Sequence, residues 1–237
     1  MTGLEKLRKD LRSFQRLGRA KILRRFFKTG KGEYGEGDEF LGLMTAETRS
    51  VALKYLSLPL SDISKLLASK IHEERTAAVM ILWRQFKKAD IEGGKKIYDF
   101  YFKNLAGINN WDLVDTSAPE IVGGYLYLTK NPRKILYDLA VSNNLWERRI
   151  AIMATFYFIR ERDFTDSLKI AEILVQDKED LIQKAVGWML REVGNRDLKV
   201  EERFLKKHYQ KMPRTMLRYA IEKFPQGKRL SYLRGKF

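Results

Sequence analysis

The sequence has 237 residues, of which 44% are hydrophobic and 12% aromatic, and this composition is typical of a folded globular chain rather than a disordered one. It has 46 Lys and Arg against 30 Asp and Glu, a net charge of +16, and no cysteine. These counts exclude disulfides, thiolate catalysis and Cys-ligated zinc or iron–sulfur sites. The two histidines, His72 and His208, have no partner at ligand spacing, so we expect neither a metal nor a cofactor.

Positive charge is concentrated at the two ends of the chain. Residues 1–32 contain eleven Lys and Arg and two acidic residues, a net charge of +9, and residues 205–237 contain ten and one, again +9, which leaves −2 for the rest. Basic chain ends favour a polyanionic partner. The alternative is that they form solvated surface and only improve solubility. An anionic membrane is less favoured than a nucleic acid, because segment 24–28 offers only a short apolar face.

Nothing in the chain indicates export or insertion into a membrane. No apolar run approaches the roughly 18 residues that a membrane span needs. The first residues lack the apolar stretch of a signal peptide. We therefore expect a cytoplasmic protein that is associated with the nucleoid when it is bound to DNA.

Helical periodicity of apolar residues runs through almost the whole chain, and no convincing alternating strand pattern interrupts it. Most prolines stand where a helix would begin or a turn would form. Pro119 alone interrupts a helical pattern and predicts either a kink or a new helix start. The clearest predicted helical segments are 46–57, 73–87, 144–160, 168–176 and 179–193.

A glycine-rich stretch extends from Gly30 to Gly42. Its glycines suggest a phosphate cradle, but four acidic residues would repel phosphate and no Gly-Lys-Ser/Thr ending is present. A structured loop between helices is the favoured interpretation.

Weak internal repeats predict stacked helix pairs. The segments 74–80 and 147–153 match in register, and 182–188 continues the pattern 35 residues later, with Lys184 opposite Arg149. Such a period is typical of HEAT-like helical solenoids. The alternative is that these weak similarities have no structural meaning, because any all-α protein contains some.

The segment Asn110–Asp115 carries the strongest candidate for chemistry. At about 100° per residue, Trp111 and Asp115 lie one turn apart on nearly the same helix face, with Asp115 at the margin of an apolar stripe. A carboxylate beside an indole at such a margin is costly unless a cation or hydrogen bond completes it. The alternative is that Asp112 or Asp115 caps the following helix.

Trp188 is a second candidate. It falls about 100° from the centre of its helix's apolar stripe, on the side of Lys184, and its neighbour Gly187 is predicted to point still further outward. This pattern indicates a contact surface. The alternative is a boundary tryptophan that covers the core.

Four blocks of sequence, in order, resemble the AlkD-type DNA alkylation repair glycosylases. The match covers about residues 20–220, and its specificity depends on the four blocks occurring together. The blocks are 26–30 with the following 32–42, then 110–115, 145–151 and 183–192.

The resemblance implies an all-α, HEAT-like solenoid that is curved and holds duplex DNA in a basic concave groove. It also implies a monofunctional DNA glycosylase that excises cationic alkylpurines, such as 3-methyladenine and 7-methylguanine, and leaves an abasic site without flipping the base. Carried over by position, the catalytic aspartate is Asp115 and the two sugar-contacting tryptophans are Trp111 and Trp188. The arginine near the phosphate beside the lesion is Arg149, the second of the Arg148–Arg149 pair.

We assign Arg148, Arg149 and Lys184 to DNA binding. The N-terminal aromatic residue that some members of the family place near the lesion corresponds to Phe26 or Phe27, and neither has a tyrosine hydroxyl. The resemblance therefore leaves this position open.

The residue chemistry agrees with such a reaction. An alkylated purine carries positive charge and leaves as a neutral base, so no strong general acid is needed. Bond breaking leaves positive charge on the deoxyribose, which the carboxylate of Asp115 can stabilise while it orients a water. The indoles of Trp111 and Trp188 can present their π faces to the same cation.

We therefore predict a single HEAT-like domain over residues 1–237, with basic helices at 1–32 and 205–237, that acts as a monomer on alkylated duplex DNA. The alternative function is a non-catalytic scaffold for bent, damaged or branched DNA. A protein-binding helical repeat fits the basic ends poorly.

Overall fold

The computed structural model describes residues 1–236, and its regular structure is helical. Within that part of the chain no β-strand forms, and one isolated parallel bridge joins Glu39 to Ile71. The predicted all-α, helical-repeat class is confirmed. Contacts between backbone positions group the chain into two compact units, Met1–Ile121 and the residues from Val122 onward. The single-domain solenoid and its concave groove stay predictions.

The first unit contains seven α-helices. Two short 3₁₀ turns, Leu53–Tyr55 and Leu105–Gly107, extend or connect them. The longest helix, α5, is buried along its first eleven residues and packs against α3, α4 and α7. The helices are α1 (Gly3–Ser13), α2 (Leu17–Phe26), α3 (Thr45–Ala52), α4 (Leu60–Leu67), α5 (His72–Lys88), α6 (Ile91–Lys103) and α7 (Trp111–Ser117).

The second unit is built around α10 and α12. These two helices pack against each other, α10 also packs on α9, and α12 also packs on α14. The helices are α8 (Gly124–Leu128), α9 (Lys134–Ala140), α10 (Leu145–Arg160), α11 (Thr165–Ile173), α12 (Asp180–Gly194), α13 (Leu198–His208), α14 (Arg214–Ala220) and α15 (Gln226–Leu233), and a 3₁₀ turn at Ile221–Lys223 follows α14.

The five helical segments predicted from periodicity correspond to α3, α5, α10, α11 and α12, with end shifts of a few residues. Pro59, Pro213 and Pro225 occupy the N-cap positions of α4, α14 and α15. Proline suits a helix start because its missing N–H would have no partner there. The predicted role of these prolines is confirmed.

Pro119 does not begin a new helix, and the kink stays a prediction. It lies in a π-helical turn, Ala118–Gly123, that continues α7 into α8. A wider turn accommodates the missing N–H and the proline ring without ending the helix.

The sequence repeat has a structural counterpart at three helix starts. Before α5, α10 and α12, a Ser or Asp side chain accepts a hydrogen bond from the backbone N–H two residues later, at 2.9–3.1 Å. The side chain six residues later donates back to the carbonyl of the same Ser or Asp, at 2.7–3.0 Å. The three pairs are Ser69 with Arg75, Ser142 with Arg148, and Asp177 with Gln183.

The glycine-rich stretch 30–42 is a structured loop, as predicted. Its C-terminal end is fixed by the buried carboxylate of Glu73, which accepts hydrogen bonds from the backbone N–H groups of Leu41, Gly42 and Leu43 at 2.8–3.2 Å. Gly42 has φ +93, and a side chain there would collide with the Arg16 carbonyl. The loop thereby places Asp38 and Phe40 against the start of α5.

Candidate functional site

Helix α7 presents the two residues singled out in the first unit. Its N-cap, the buried Asn110, accepts a hydrogen bond from the backbone N–H of Trp111 at 2.8 Å. Trp111 and Asp115 follow one turn apart, and both are half-buried. Leu113 and Val114 fill the core, and Trp111 and Asp115 share a half-buried face of α7, as the spacing predicted.

Trp111 lies on a stack of aromatic rings. Its indole is nearly parallel to the ring of Phe27, with centroids 5.3 Å apart and 14° between planes, and Phe27 stacks in turn on Phe40 at 5.1 Å. Phe26 meets the indole edge-on at 6.0 Å. Stacked and edge-on pairs in this range add to the burial of the rings, so the indole is held from two sides.

The two N-terminal phenylalanines that the sequence left as alternatives have different environments. Phe27 is 7% exposed and belongs to the packed cluster with Ala20 and Phe40, whereas Phe26 is 60% exposed. Phe26 is therefore the aromatic residue that α2 presents to solvent beside Trp111.

A cluster of polar side chains packs against this stack through the ring of His72. The ring of His72 is 4.7 Å from both Phe27 and Phe40, and its Nε2 is 2.8 Å from the Oδ2 atom of Asp112. Its Nδ1 is 3.4 Å from Asp38, which also forms a 2.6 Å ion pair with Arg75. The cluster connects the glycine-rich loop, α5 and α7 through side chains far apart in sequence.

The carboxylates favour a charged imidazole in this cluster. Burial alone would lower the pKa of His72, but the charge of Asp112 and the hydrogen bonds to Asp112 and Asp38 raise that pKa to about 9. Burial alone would likewise raise the pKa of Asp38, but His72 and Arg75 hold it below its ordinary value. The cluster thus pairs two basic side chains, His72 and Arg75, with two carboxylates, Asp38 and Asp112.

Tyr101 of α6 forms a buried hydrogen bond with the C-terminal end of α7. Its buried hydroxyl is 3.1 Å from the Oγ atom of Ser117, which donates to the carbonyl of Leu113 at 2.6 Å. Burial raises the pKa of Tyr101 despite the hydrogen bond to Ser117, and the charge of Asp115 contributes to the rise. Tyr101 is therefore a neutral hydroxyl at neutral pH.

In the second unit, Trp188 is half-buried on α12. Its Nε1 donates to Glu192 at 3.3 Å, and its ring lies 6.0 Å from that of Phe156. The guanidinium groups of Arg160 and Arg196 lie 5.3 and 5.8 Å from the Phe156 ring. Trp188 thus borders a patch of aromatic and cationic side chains at the C-terminal end of α10.

The predicted orientation of Gly187 is wrong. This glycine is buried, and a side chain there would collide with the Met216 carbonyl on α14. A glycine next to Trp188 serves close packing of α12 on α14, because only a hydrogen fits between the two backbones. Trp188 itself is half-buried on the same helix.

The three residues assigned to DNA binding have structural partners. Arg149 is 4% exposed, and its guanidinium donates to the Leu181 carbonyl near the start of α12. Arg148 forms a 2.7 Å ion pair with Asp177, and Lys184 pairs with Asp180 at 2.6 Å. Arg149 thus joins α10 to α12, Arg148 joins α10 to the turn before α12, and their contact with phosphate stays a prediction.

Comparison with known proteins agrees with the helical-repeat fold. The family model for DNA alkylation repair enzymes matches residues 7–224. The chain belongs to the DNA alkylation repair enzyme family. A solved structure described as a predicted DNA alkylation repair enzyme from Enterococcus faecalis is similar in fold, with a TM-score of 0.70 and 16% identity over 90% of this chain and 97% of that chain. No protein with a curated function matches the sequence.

Sequence reasoning missed two features of this DNA alkylation repair protein. The pairing of His72 with Asp38 and Asp112 has no local signal, because the two carboxylates lie 34 and 40 residues away. Arg160 stands one turn after Phe156 on α10, a spacing that could have indicated the patch beside Trp188.

Two further findings concern ligands and membranes. No group of three or more His, Cys, Asp or Glu side chains in residues 1–236 is arranged to hold a metal ion. Across the same residues, every helix is too short or too polar to cross a lipid bilayer.

Proposed function

We propose that this DNA alkylation repair protein is a monofunctional glycosylase that hydrolyses the N-glycosidic bond of cationic alkylpurines, such as 3-methyladenine and 7-methylguanine, in duplex DNA. The observation that carries the proposal is the arrangement on α7, where Trp111 and Asp115 share one half-buried face at one-turn spacing. A carboxylate next to an indole provides two groups that attract a cation.

In the proposed mechanism the alkylated base leaves without being protonated by a general acid. Its positive charge weakens the glycosidic bond, and the electron pair of that bond departs with the purine, which becomes neutral. The positive charge that develops on the deoxyribose lies next to the carboxylate of Asp115, which also orients a water for attack at C1′. Trp111 presents its π face to the same sugar, and an interaction of this type contributes about 0.5–2 kcal/mol.

The aromatic stack supports this role because it fixes the indole before the substrate arrives. A group held rigidly by Phe27 and Phe26 does not have to reorganise as charge develops, and such preorganisation is the main source of electrostatic catalysis. The half-buried Trp188 is the second sugar-contacting tryptophan of the proposal, by its resemblance to the family. The base is expected to stay stacked.

Helix α2 supports duplex DNA as the partner. Its exposed surface carries Arg19, Lys21, Arg24 and Arg25 and no acidic residue, and within residues 1–236 none of these four cations forms an ion pair. Phe26 ends this helix beside Trp111. Cations next to an exposed aromatic residue are suited to the phosphates that flank a lesion in duplex DNA.

The deciding experiment is a base-release assay. Methylated duplex DNA is incubated with the purified protein in the presence of a chelator, and free 3-methyladenine and 7-methylguanine are measured by chromatography, with abasic sites counted in parallel. We expect both bases in solution and one abasic site per base released. Tight binding of the duplex without base release would instead favour the non-catalytic scaffold.

A further inference from the structure

We propose that His72 is a positioning residue of the candidate site, an imidazolium that joins Asp112 of α7 to Asp38 of the glycine-rich loop and thereby fixes Trp111. The inference rests on the proposed function for its effect on base release. The structural part of the inference depends only on contacts within the first unit.

The first argument is geometric. Both ring nitrogens of His72 face carboxylates, Nε2 at 2.8 Å from Asp112 and Nδ1 at 3.4 Å from Asp38. A neutral imidazole has one N–H and can donate to only one of them, whereas an imidazolium donates to both. The Nη2 atom of Arg75 is 3.3 Å from Nδ1 and 2.6 Å from Asp38, so its shorter contact is with the carboxylate.

The second argument is charge balance. His72 is 3% exposed, and the groups that face it are Asp38 from the loop, Arg75 from its own helix, Asp112 from α7 and the rings of Phe27 and Phe40. With a neutral His72, the two carboxylates and one guanidinium would leave a buried net negative charge, which is unfavourable. The proton on His72 neutralises the cluster, and the faces of the two aromatic rings also favour a cation.

The neighbouring acidic residues of α5 do not belong to this cluster, because each has other partners. Glu73 accepts from the backbone of residues 41–43, and Glu74 pairs with Arg8 and Arg12 of α1 at 2.9 and 3.4 Å. The Nδ2 atom of Asn110 approaches Asp38 at 3.4 Å but carries no charge.

The third argument concerns Asp112 itself. The Oδ1 atom of Asp112 is buried and has no hydrogen-bond partner in residues 1–236, so the contact of Oδ2 with His72 is what holds this carboxylate. That contact adds to the Asn110 cap in fixing the first turn of α7. The preceding residue is Trp111, whose indole lies on Phe27, and Phe27 lies on His72. His72 therefore acts on Trp111 through the α7 backbone and through the aromatic stack.

The test uses nuclear magnetic resonance of the histidine rings and of the tryptophan indoles. The chain has only two histidines, so a His208→Gln variant assigns both signals. In the intact protein we expect the His72 ring to stay charged from pH 5 to 8 and to titrate near pH 9, and we expect His208, whose pKa burial lowers, to titrate below its ordinary range. His72 titrating at or below pH 6.5 would overturn the proposal.

Two isosteric variants separate positioning from mere packing. Asp112→Asn should lower the midpoint of His72 by more than one pH unit and shift the Trp111 indole signal, while Asp138→Asn, an exposed surface control on α9, should change neither. Unchanged His72 and Trp111 signals in Asp112→Asn would also overturn the proposal. Far-UV circular dichroism of each variant checks that it is folded.

The final readout is the pH profile of base release. The rate of the unmodified protein should be flat to about pH 8 and should fall as His72 loses its proton. In Asp112→Asn the fall should move to lower pH by the shift measured for His72, and a profile that does not move would contradict positioning. If the unmodified protein releases no base, the proposed function fails, while the spectroscopic result still decides the role of His72.

Discussion

The indole of Trp111 stacks on the ring of Phe27 at 5.3 Å, with 14° between the two planes. Phe27 directly follows α2 and Trp111 opens α7, so this contact joins a basic helix to the helix that carries the candidate carboxylate. The stack explains how ring contacts can hold the indole in place while part of it stays accessible to solvent.

Phe26 and Phe27 provide a matched pair of variants. Phe27→Ala removes a buried ring from the cluster and should lower the free energy of unfolding by about 3–5 kcal/mol, whereas Phe26→Ala should change it by less than about 1 kcal/mol. Phe26→Ala should instead weaken binding of alkylated duplex DNA. Urea denaturation and fluorescence anisotropy measure the two effects, and equal destabilisation by both variants would contradict the packing described above.

Asp115→Asn tests the carboxylate directly. The change keeps the shape of the side chain but removes its charge, so base release should fall by about 10²–10³-fold while duplex affinity is retained. Single-turnover kinetics and anisotropy measure the two quantities. Asp138→Asn on α9 is the control and should behave like the unmodified protein. Undiminished release by Asp115→Asn would refute the proposed role of Asp115.

The charge of the substrate should decide which lesions are removed. Uracil and hypoxanthine are neutral and leave as poor anions unless a general acid protonates them, so duplexes that contain them should stay intact. The same base-release assay compares them with 7-methylguanine. Efficient uracil release would show that bond breaking does not depend on a cationic base.

Ionic strength should strongly affect duplex binding. Each phosphate neutralised adds about −0.9 to the slope of log affinity against log salt concentration. The double variant Arg24→Gln, Arg25→Gln on α2 should make the slope shallower by about 1–2. Lys96→Gln, at an exposed ion pair on α6, should leave it unchanged. A slope near zero for the unmodified protein would favour a protein partner.

Glu201 should make stability depend on pH. Burial and the nearby charge of Glu202 raise the pKa of Glu201 to about 8, so the folded protein binds more protons than the unfolded chain between about pH 4.5 and 8. The free energy of unfolding should therefore fall as the pH rises through this range.

Glu201→Gln removes the charge and should raise the free energy of unfolding at pH 8 by about 1–3 kcal/mol, with little effect at pH 4.5. Thermal unfolding at several pH values measures this. The exposed Glu172, whose pKa is lowered by Lys207, provides the control Glu172→Gln, which should not give this gain. If Glu201→Gln does not raise the free energy of unfolding at pH 8, then a charged Glu201 does not destabilise the folded protein.

Local pattern was sufficient for several features of the fold and the site. The period of apolar residues predicted α12, because a helix that buries one face must repeat its apolar positions every three or four residues. The same geometry placed Trp111 and Asp115 on one face of α7, since the spacing within a single helix fixes the relative direction of its side chains.

Only the tertiary structure decided which partners these faces meet. Phe26 and Phe27 are adjacent and chemically identical, yet one is exposed and the other stacks on Trp111, 84 residues later. Gly187 was predicted to point outward, yet the backbone of α14 packs directly against it. Helical periodicity gives direction within one element, but burial and pairing depend on residues that are distant in sequence and meet only when the elements pack.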